Sequence, residues 1–412
     1  MFENKPRKID VMEKVKLRVG DLRPGMYVCD LDRPWLETPF QLQGFEVKDQ
    51  ADVVIVGQWC KHVYIDLMRT KVINVTLDAM TTGSYLASKK RSFDKKDLDT
   101  AKQTRKKTSD LMRTFMDEIR FGQSPELELV NEPVAECVST IMGNPDVMMF
   151  LTRLRSKDSY VSQHAFNVCI YAIVVGRLIG LDQQQLQTLG TCGLLLDVGM
   201  LTIPEHILHK PGELTAEETA IIQTHTTHGR DILLSAGSAF DSVAEVAYSH
   251  HENLDGSGYP CGLHETQLGL NCKIVAIVDR YEAITNPRPC RPAGDHLSAV
   301  AILNHEINEN KIDKDLALTF ISYLGVYPQG TLVELNTGEV AIVLGTNTTQ
   351  RLRPQILIVL DANKKPTQAF VDLTEKTIDK TGHAYRIARV CRPGDFGINL
   401  NDYTDLIMES FG

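Results

Sequence analysis

Twelve histidines punctuate the 412 residues, and several fall where carboxylates and tight turns accompany them. His164 stands near the start of an apolar helical pattern, Asp197 closes another, and His225 lies in a polar helical stretch three positions before His228. His250 and His251 are adjacent and are followed by Glu252 and by Asp255-Gly256-Ser257-Gly258-Tyr259-Pro260. Asp279 interrupts the apolar run Ile274 to Val278. A carboxylate buried in such a run needs a cation or a donor beside it, because burying it unpaired costs roughly several kcal/mol. Imidazole and carboxylate together form the ligand set of zinc, iron and manganese sites. Singly, each of these residues reads as ordinary core or surface. In this order and at these intervals the set is far more specific.

The elements that must position them divide the chain into four stretches. Residues 1–80 form a β-rich N-terminal domain: Val53-Val54-Ile55-Val56 and Val63-Tyr64-Ile65 read as strands parted by Gly57 and polar residues, with Pro24-Gly25 and Arg33-Pro34-Trp35 as turns. Residues 81–125 form a basic helical linker. Within it, 89–107 hold nine Lys/Arg against three Asp, a local excess of six positive charges, which reads first as a solvated connector. Leu111, Phe115 and Ile119 recur every four residues and place an apolar stripe on one helix face. Residues 126–325 are helical, with Phe166, Ile170, Ile173 and Val174, then Leu189 to Leu196, then Ile274, Ile277 and Val278 at helix spacing. From 326 to 412 the period changes to two: Leu332–Leu335 and Val340–Val343 flank Asn336-Thr337-Gly338-Glu339 as a hairpin, and Ile356–Leu360 supplies a third strand. The expected class is multidomain α+β with a central all-α domain between small β-rich ends.

Composition narrows the function. With 43% hydrophobic and 24% charged residues and a net charge of −9, the chain can bury a sizeable core. No apolar run approaches the ~20 residues of a membrane span, and Met1-Phe2-Glu3-Asn4-Lys5 lacks the layout of a signal peptide. Nine cysteines stand singly with no C-x-x-C pair, which argues against a zinc ribbon and a secreted disulfide framework and fits a reducing cytoplasm. A pI of 5.8 argues against general nucleic-acid binding.

His250-His251-Glu252, Asp255 to Pro260, Gly262-Leu263 and Asp279-Arg280-Tyr281-Glu282-Ala283 resemble the core of the HD-GYP domain. Ile203-Pro204, Ile207-Leu208, Lys210-Pro211-Gly212 and Leu214-Thr215 extend the likeness upstream, so that it runs from about 160 to 292. The head, with Asp32 to Leu36 and Pro39-Phe40, is similar to an uncharacterised domain that often precedes HD-GYP. The resemblance implies an HD-type helical domain over 126–325 and a bacterial, metal-dependent phosphodiesterase of cyclic di-GMP. It implies metal ligands at His164, Asp197, His225, His250, His251 and Asp279. Asp197 would bridge two ions, His164 and Asp279 would complete the first, and the three other histidines the second. Fe or Mn is the expected metal, one or two ions per chain. A metal pair supplies a hydroxide and clamps the phosphate for in-line displacement. Gly256, Gly258, Tyr259 and Pro260 would approach the bound nucleotide, and Arg288 and Arg291 its phosphates.

Three departures accompany the likeness. The name pair His-Asp stands here as Leu196-Asp197, the lysine expected beyond Asp197-Val198-Gly199 is Met200, and the usual R-P-Y-R is Arg288-Pro289-Cys290-Arg291. Leu196 cannot ligate, so the first ion keeps three protein ligands and the second keeps four. Two readings therefore stand: a phosphodiesterase of reduced activity, or a catalytically inactive module that binds cyclic di-GMP or a signalling protein. A third, a pure interaction scaffold, explains the retained His and Asp positions poorly. A homodimer or partner signalling proteins complete the expected partners.

Overall fold

The computed structural model describes residues 14–33, 45–47, 50–66, 95–123, 127–154, 160–287, 293–345, 353–375 and 385–409. They fall into two compact units, one drawn from Met1–Lys89 and the other from Lys90–Asn347 and Arg351–Gly412.

The first unit holds β1 (Lys14–Arg18), β2 (Tyr27–Leu31), β3 (Phe45–Glu46), α1 (Gln50–Trp59) and β4 (His62–Asp66). Its strands form an antiparallel sheet in the order β1-β4-β2-β3. Val63 and Ile65 alternate inward in β4, as a half-buried strand requires. The expected strand at Val53–Val56 is instead part of α1. Val53, Val56 and Cys60 are buried while Val54 and Ile55 are exposed, a helical spacing that covers one face of the small sheet core. Burial on that core outweighs the β-branched preference of the run.

The second unit begins with α2 (Lys95–Arg120), α3 (Leu127–Gly143), α4 (Pro145–Arg153), α5 (Tyr160–Leu178) and α6 (Gln183–Leu195). Then come α7 (Glu205–Leu208), α8 (Ala216–Gln223), α9 (His225–Ser235), α10 (Asp241–Ser249), α11 (Leu270–Thr285), α12 (His296–Asn308) and α13 (Lys314–Leu324). The tail adds β5 (Leu332–Leu335), β6 (Val340–Gly345), β7 (Gln355–Leu360), β8 (Pro366–Asp372), β9 (Ile387–Val390) and α14 (Thr404–Glu409). Every residue from Ala165 to Val175 in α5 is buried, which marks it as the central helix. Asp182 and Thr215 start α6 and α8 with reciprocal capping boxes to Gln185 and Glu218. The basic run has two faces in α2. Lys96, Lys102, Lys106 and Lys107 are exposed, whereas Leu98, Ala101, Met112 and Phe115 enter the helical core, with Leu111 and Ile119 packed against it. Arg105 donates to the carbonyls of Leu151 and Leu154.

The hairpin β5–β6 and strand β7 lie where the alternating pattern places them. β8 and β9 complete an antiparallel sheet in the order β8-β7-β6-β5-β9. One face of this sheet (Leu332, Val340, Ile342, Leu344, Leu357 and Val359) belongs to the same core as the helices. The other face (Val333, Ala341, Val343, Ile356 and Ile358) packs into a separate small core. Among the described residues no helix is long and apolar enough to cross a membrane.

Candidate metal centre

Two close backbone approaches bring the ligand-type side chains together. A Cβ at Gly193 would lie 2.9 Å from Cys169 Cα, so glycine lets α6 press onto α5, the helix that carries His164. After α6 the chain turns through Asp197 into a 3-10 turn, Val198–Thr202. A Cβ at Gly199 would stand 2.0 Å from the His225 carbonyl oxygen, so only glycine lets this turn rest on the start of α9.

His225 opens α9, and its Nδ1 donates to the Ile222 carbonyl at 2.6 Å. His250 follows α10 and donates from Nδ1 to the Ala247 carbonyl at 3.0 Å. These bonds assign the Nε2 of both rings as the lone-pair nitrogen. The two Nε2 atoms face each other at 3.4 Å, and Asp197 Oδ1 lies 3.3 Å from the first and 3.6 Å from the second. With His251, these residues bring four ligand atoms within 4.8 Å of one another, a group able to hold a metal ion. Facing lone pairs beside a carboxylate repel one another unless a cation lies between them, so the donor set fits a metal.

A second group shares Asp197. Its Oδ2 is 3.3 Å from His164 Nε2, which is also 3.2 Å from Asp279 Oδ1. His164 Nδ1 donates to Glu282, and Asn167 holds the other Glu282 oxygen at 3.1 Å. A carboxylate behind a ligating imidazole fixes its tautomer and raises its basicity. Asp279 Oδ1 thus faces the His164 Nε2 lone pair, with His251 Nδ1 at 4.0 Å on its other side, so a cation between them would meet the demand of its burial.

The electrostatics keep these groups in ligand form. Burial pushes the Asp197 carboxyl up, but its contacts with His164, His250 and His225 hold it well below the usual range. Asp279 is likewise held low, His164 and His251 overcoming its burial. Burial drives His251 well below the ordinary histidine value, with the charge of His250 adding to it. It also lowers His225 against the pull of Asp197.

The turn at 255–260 borders the centre. The Tyr259 ring stacks on His251 with centroids 4.7 Å apart and planes at 27°, ahead of a cis Tyr259–Pro260 peptide. Gly256 has φ +80° and sits 2.5 Å, by its would-be Cβ, from the His264 ring. At Gly258 a Cβ would stand 2.4 Å from Glu252 Cα. Buried Glu252 ties the loop down, accepting from Cys261 N at 2.7 Å and Leu263 N at 3.0 Å. Sequence reasoning assigned no role to Glu252, Glu282 or Asn167, although both glutamates stand inside the quoted motifs. Only Glu282 carried a signal, a carboxylate three residues after Asp279 on the same apolar helix; Glu252 sits in a loop and Asn167 is one polar residue in a buried helix. Leu196 is fully buried in the helical core, and Met200 is half-buried in the 3-10 turn. Arg288 and Arg291 lie outside the described residues.

Known proteins resemble the chain along most of its length. The HD domain family matches residues 149–316, a domain of unknown function (DUF3391) matches 14–130, and a KOW domain associated with HD domain matches 332–393. The chain thus carries an HD domain set between those two flanking domains, and the HD-GYP-like motifs lie inside it. A cyclic di-GMP phosphodiesterase of Pseudomonas aeruginosa is 29% identical over 374 residues, 87% of this chain and 88% of that protein. 3'3'-cGAMP-specific phosphodiesterase 1 of Vibrio cholerae is 33% identical over 191 residues, 46% of this chain and 44% of that protein. The solved structure of an HDG"Y"P protein from Bdellovibrio bacteriovorus aligns with TM-score 0.47 at 16% identity, covering 76% of this chain and 99% of that one.

Proposed function

We propose that the protein is a metal-dependent phosphodiesterase that hydrolyses cyclic di-GMP at the Asp197 centre, more slowly than a fully liganded pair of metals would allow. The observation that carries this reading is the opposition of the His225 and His250 Nε2 lone pairs at 3.4 Å beside Asp197 Oδ1. The similarity to the Pseudomonas aeruginosa phosphodiesterase across 88% of its length supports the substrate class. The Vibrio cholerae relative, named for cGAMP, shares the phosphodiester of a cyclic dinucleotide.

Asp197, His225, His250 and His251 would hold one ion, and His164, Asp197 and Asp279 a second, with Fe or Mn suited to this donor set. Bound there, such ions supply a hydroxide at neutral pH and polarise the scissile phosphate. The remaining work falls to the chain. Asp197 stays ionised and turns one oxygen to each histidine group. Glu282 and the Ile222 and Ala247 carbonyls hold His164, His225 and His250 in the tautomers that present Nε2. Tyr259, packed on His251, offers an aromatic platform for a base, and Arg288 and Arg291 would meet the phosphates.

A second reading, a catalytically silent sensor of the same nucleotide, is favoured by Leu196, whose side chain belongs to the helical core and has no ligand atom. Metal content and cyclic di-GMP turnover measured on one Mn(II)-loaded sample separate the two. Turnover that a chelator abolishes supports the enzyme. Metal and nucleotide binding with no product would leave the sensor.

A further inference from the structure

A cavity of about 310 Å³ lies between the helices and the C-terminal sheet. Its wall includes His164 and Glu282, so it runs up to the metal centre from behind, and Gly330, Thr331 and Leu332 close it from the sheet side. Arg153, the last residue of α4, also lines it. A guanidinium here is unusual in its company. It donates to Tyr281 Oη at 2.7 Å. Tyr281 in turn donates to His296 Nδ1 at 2.9 Å, and His296 Nε2 donates to the Gly325 carbonyl at 2.9 Å. This chain fixes the side chain yet gives it no counter-charge, and among the described residues Arg153 has no carboxylate partner.

The two carboxylates on the wall are engaged elsewhere. Glu282 accepts from His164 and Asn167, and Asp295 accepts from Ser298 N and Oγ where it caps α12. A second polar group also waits in this wall. Thr331 is only 6% exposed, and its Oγ1 has no hydrogen-bond partner among the described residues. A fixed cation without a counter-charge and a buried hydroxyl without a partner form an anion site, and a guanidinium fork matches phosphate oxygens. The volume lies at the lower end of small-ligand pockets, the size of one nucleotide half.

We propose that this cavity is a substrate subsite, in which Arg153 and Thr331 bind the nucleoside phosphate of the cyclic dinucleotide farther from the metal centre. The C-terminal sheet would thereby complete the site. This inference rests on the phosphodiesterase reading and names two substrate-binding residues that the metal centre does not include.

The test uses the full-length, Mn(II)-loaded protein, with cyclic di-GMP and GMP as probes in calorimetry and cyclic di-GMP in steady-state kinetics. Arg153→Gln should weaken cyclic di-GMP binding about 10- to 100-fold and raise KM more than it lowers kcat, with metal content unchanged. Arg153→Lys should restore part of the loss. Thr331→Val should weaken binding about 3- to 10-fold with no loss of thermal stability, since its hydroxyl bonds nothing, and it keeps the test decisive if Arg153→Gln misfolds. Wild-type affinity and KM in the variants would overturn the subsite, as would loss of GMP binding alone with cyclic di-GMP unaffected. The wild-type metal content and turnover come first. Their failure sinks the phosphodiesterase reading, whereas normal wild-type values with unaltered variants sink only the subsite.

Discussion

Asp197 turns Oδ2 to within 3.3 Å of His164 Nε2 while its other oxygen faces His225 and His250. One carboxylate thus belongs to two histidine groups, the arrangement a bridging ligand needs. Asp197→Ala should abolish tight metal binding in both groups and cost at least about 100-fold in turnover, more than losing a supporting partner does. Elemental analysis and a cyclic di-GMP assay on the same preparation check this.

The two groups are unequal in ligands. Four protein ligand atoms gather around His225 and His250, whereas Leu196 gives the His164 group nothing. We expect about one tightly held ion per chain, the other being lost on dialysis. The paired change Leu196→His, Met200→Lys should raise cyclic di-GMP hydrolysis and bring tight metal content toward about two. An inert double variant that binds metal normally would place the defect elsewhere.

Glu282 accepts from His164 Nδ1 and so orients the imidazole. Glu282→Gln keeps its shape but removes the charge behind the imidazole. Metal affinity of the His164 group should drop about 10- to 100-fold while the His225 group holds its ion. Metal titration followed by calorimetry would resolve the two steps.

Gly199 has no room for a methyl group against the His225 carbonyl. Gly199→Ala should destabilise the fold by about 1–3 kcal/mol or more through forced backbone movement and weaken metal binding with it. Gly143, with open space around its would-be Cβ, provides the control for an alanine in the same unit.

His296 sets a pH dependence. Burial, reinforced by the positive charge of Arg153, pushes it down to about 3, whereas an unfolded histidine titrates near ~6.5. The unfolded chain therefore binds the proton first. The stability this group contributes is complete above the unfolded value and is lost as pH falls toward the folded one. Thermal unfolding of the metal-free protein should show Tm decreasing from pH 7 to pH 5, and His296→Gln should flatten that slope.

Much of this architecture was legible because its signals are periodic. Phe166, Ile170 and Ile173 announced a buried helix, and the Asn336–Glu339 turn between alternating runs announced a hairpin. Val53–Val56 misled because a run apolar at every position fits a strand and a helix face equally, and only the core it covers decides between them. β8 escaped notice because Thr367 to Phe370 show no buried alternation; the strand is held at the sheet edge by pairing with β7. At the centre, the sequence pointed to six ligand-type residues through its family resemblance, and the structure gathers them into two groups that share Asp197. The sequence could not supply their supports, since the partners of His164 and His225 are a glutamate 118 residues away and a backbone carbonyl.

The anchoring of those rings has a mechanical consequence. His225 is the first residue of α9 and His250 follows the last of α10, each ring tethered to a carbonyl of its own or the preceding helical turn. The gap between their Nε2 atoms therefore works as a caliper on the two helices. A small splaying of α9 from α10 would widen it beyond the reach of any single ion, and the centre would be disarmed without a ligand being replaced.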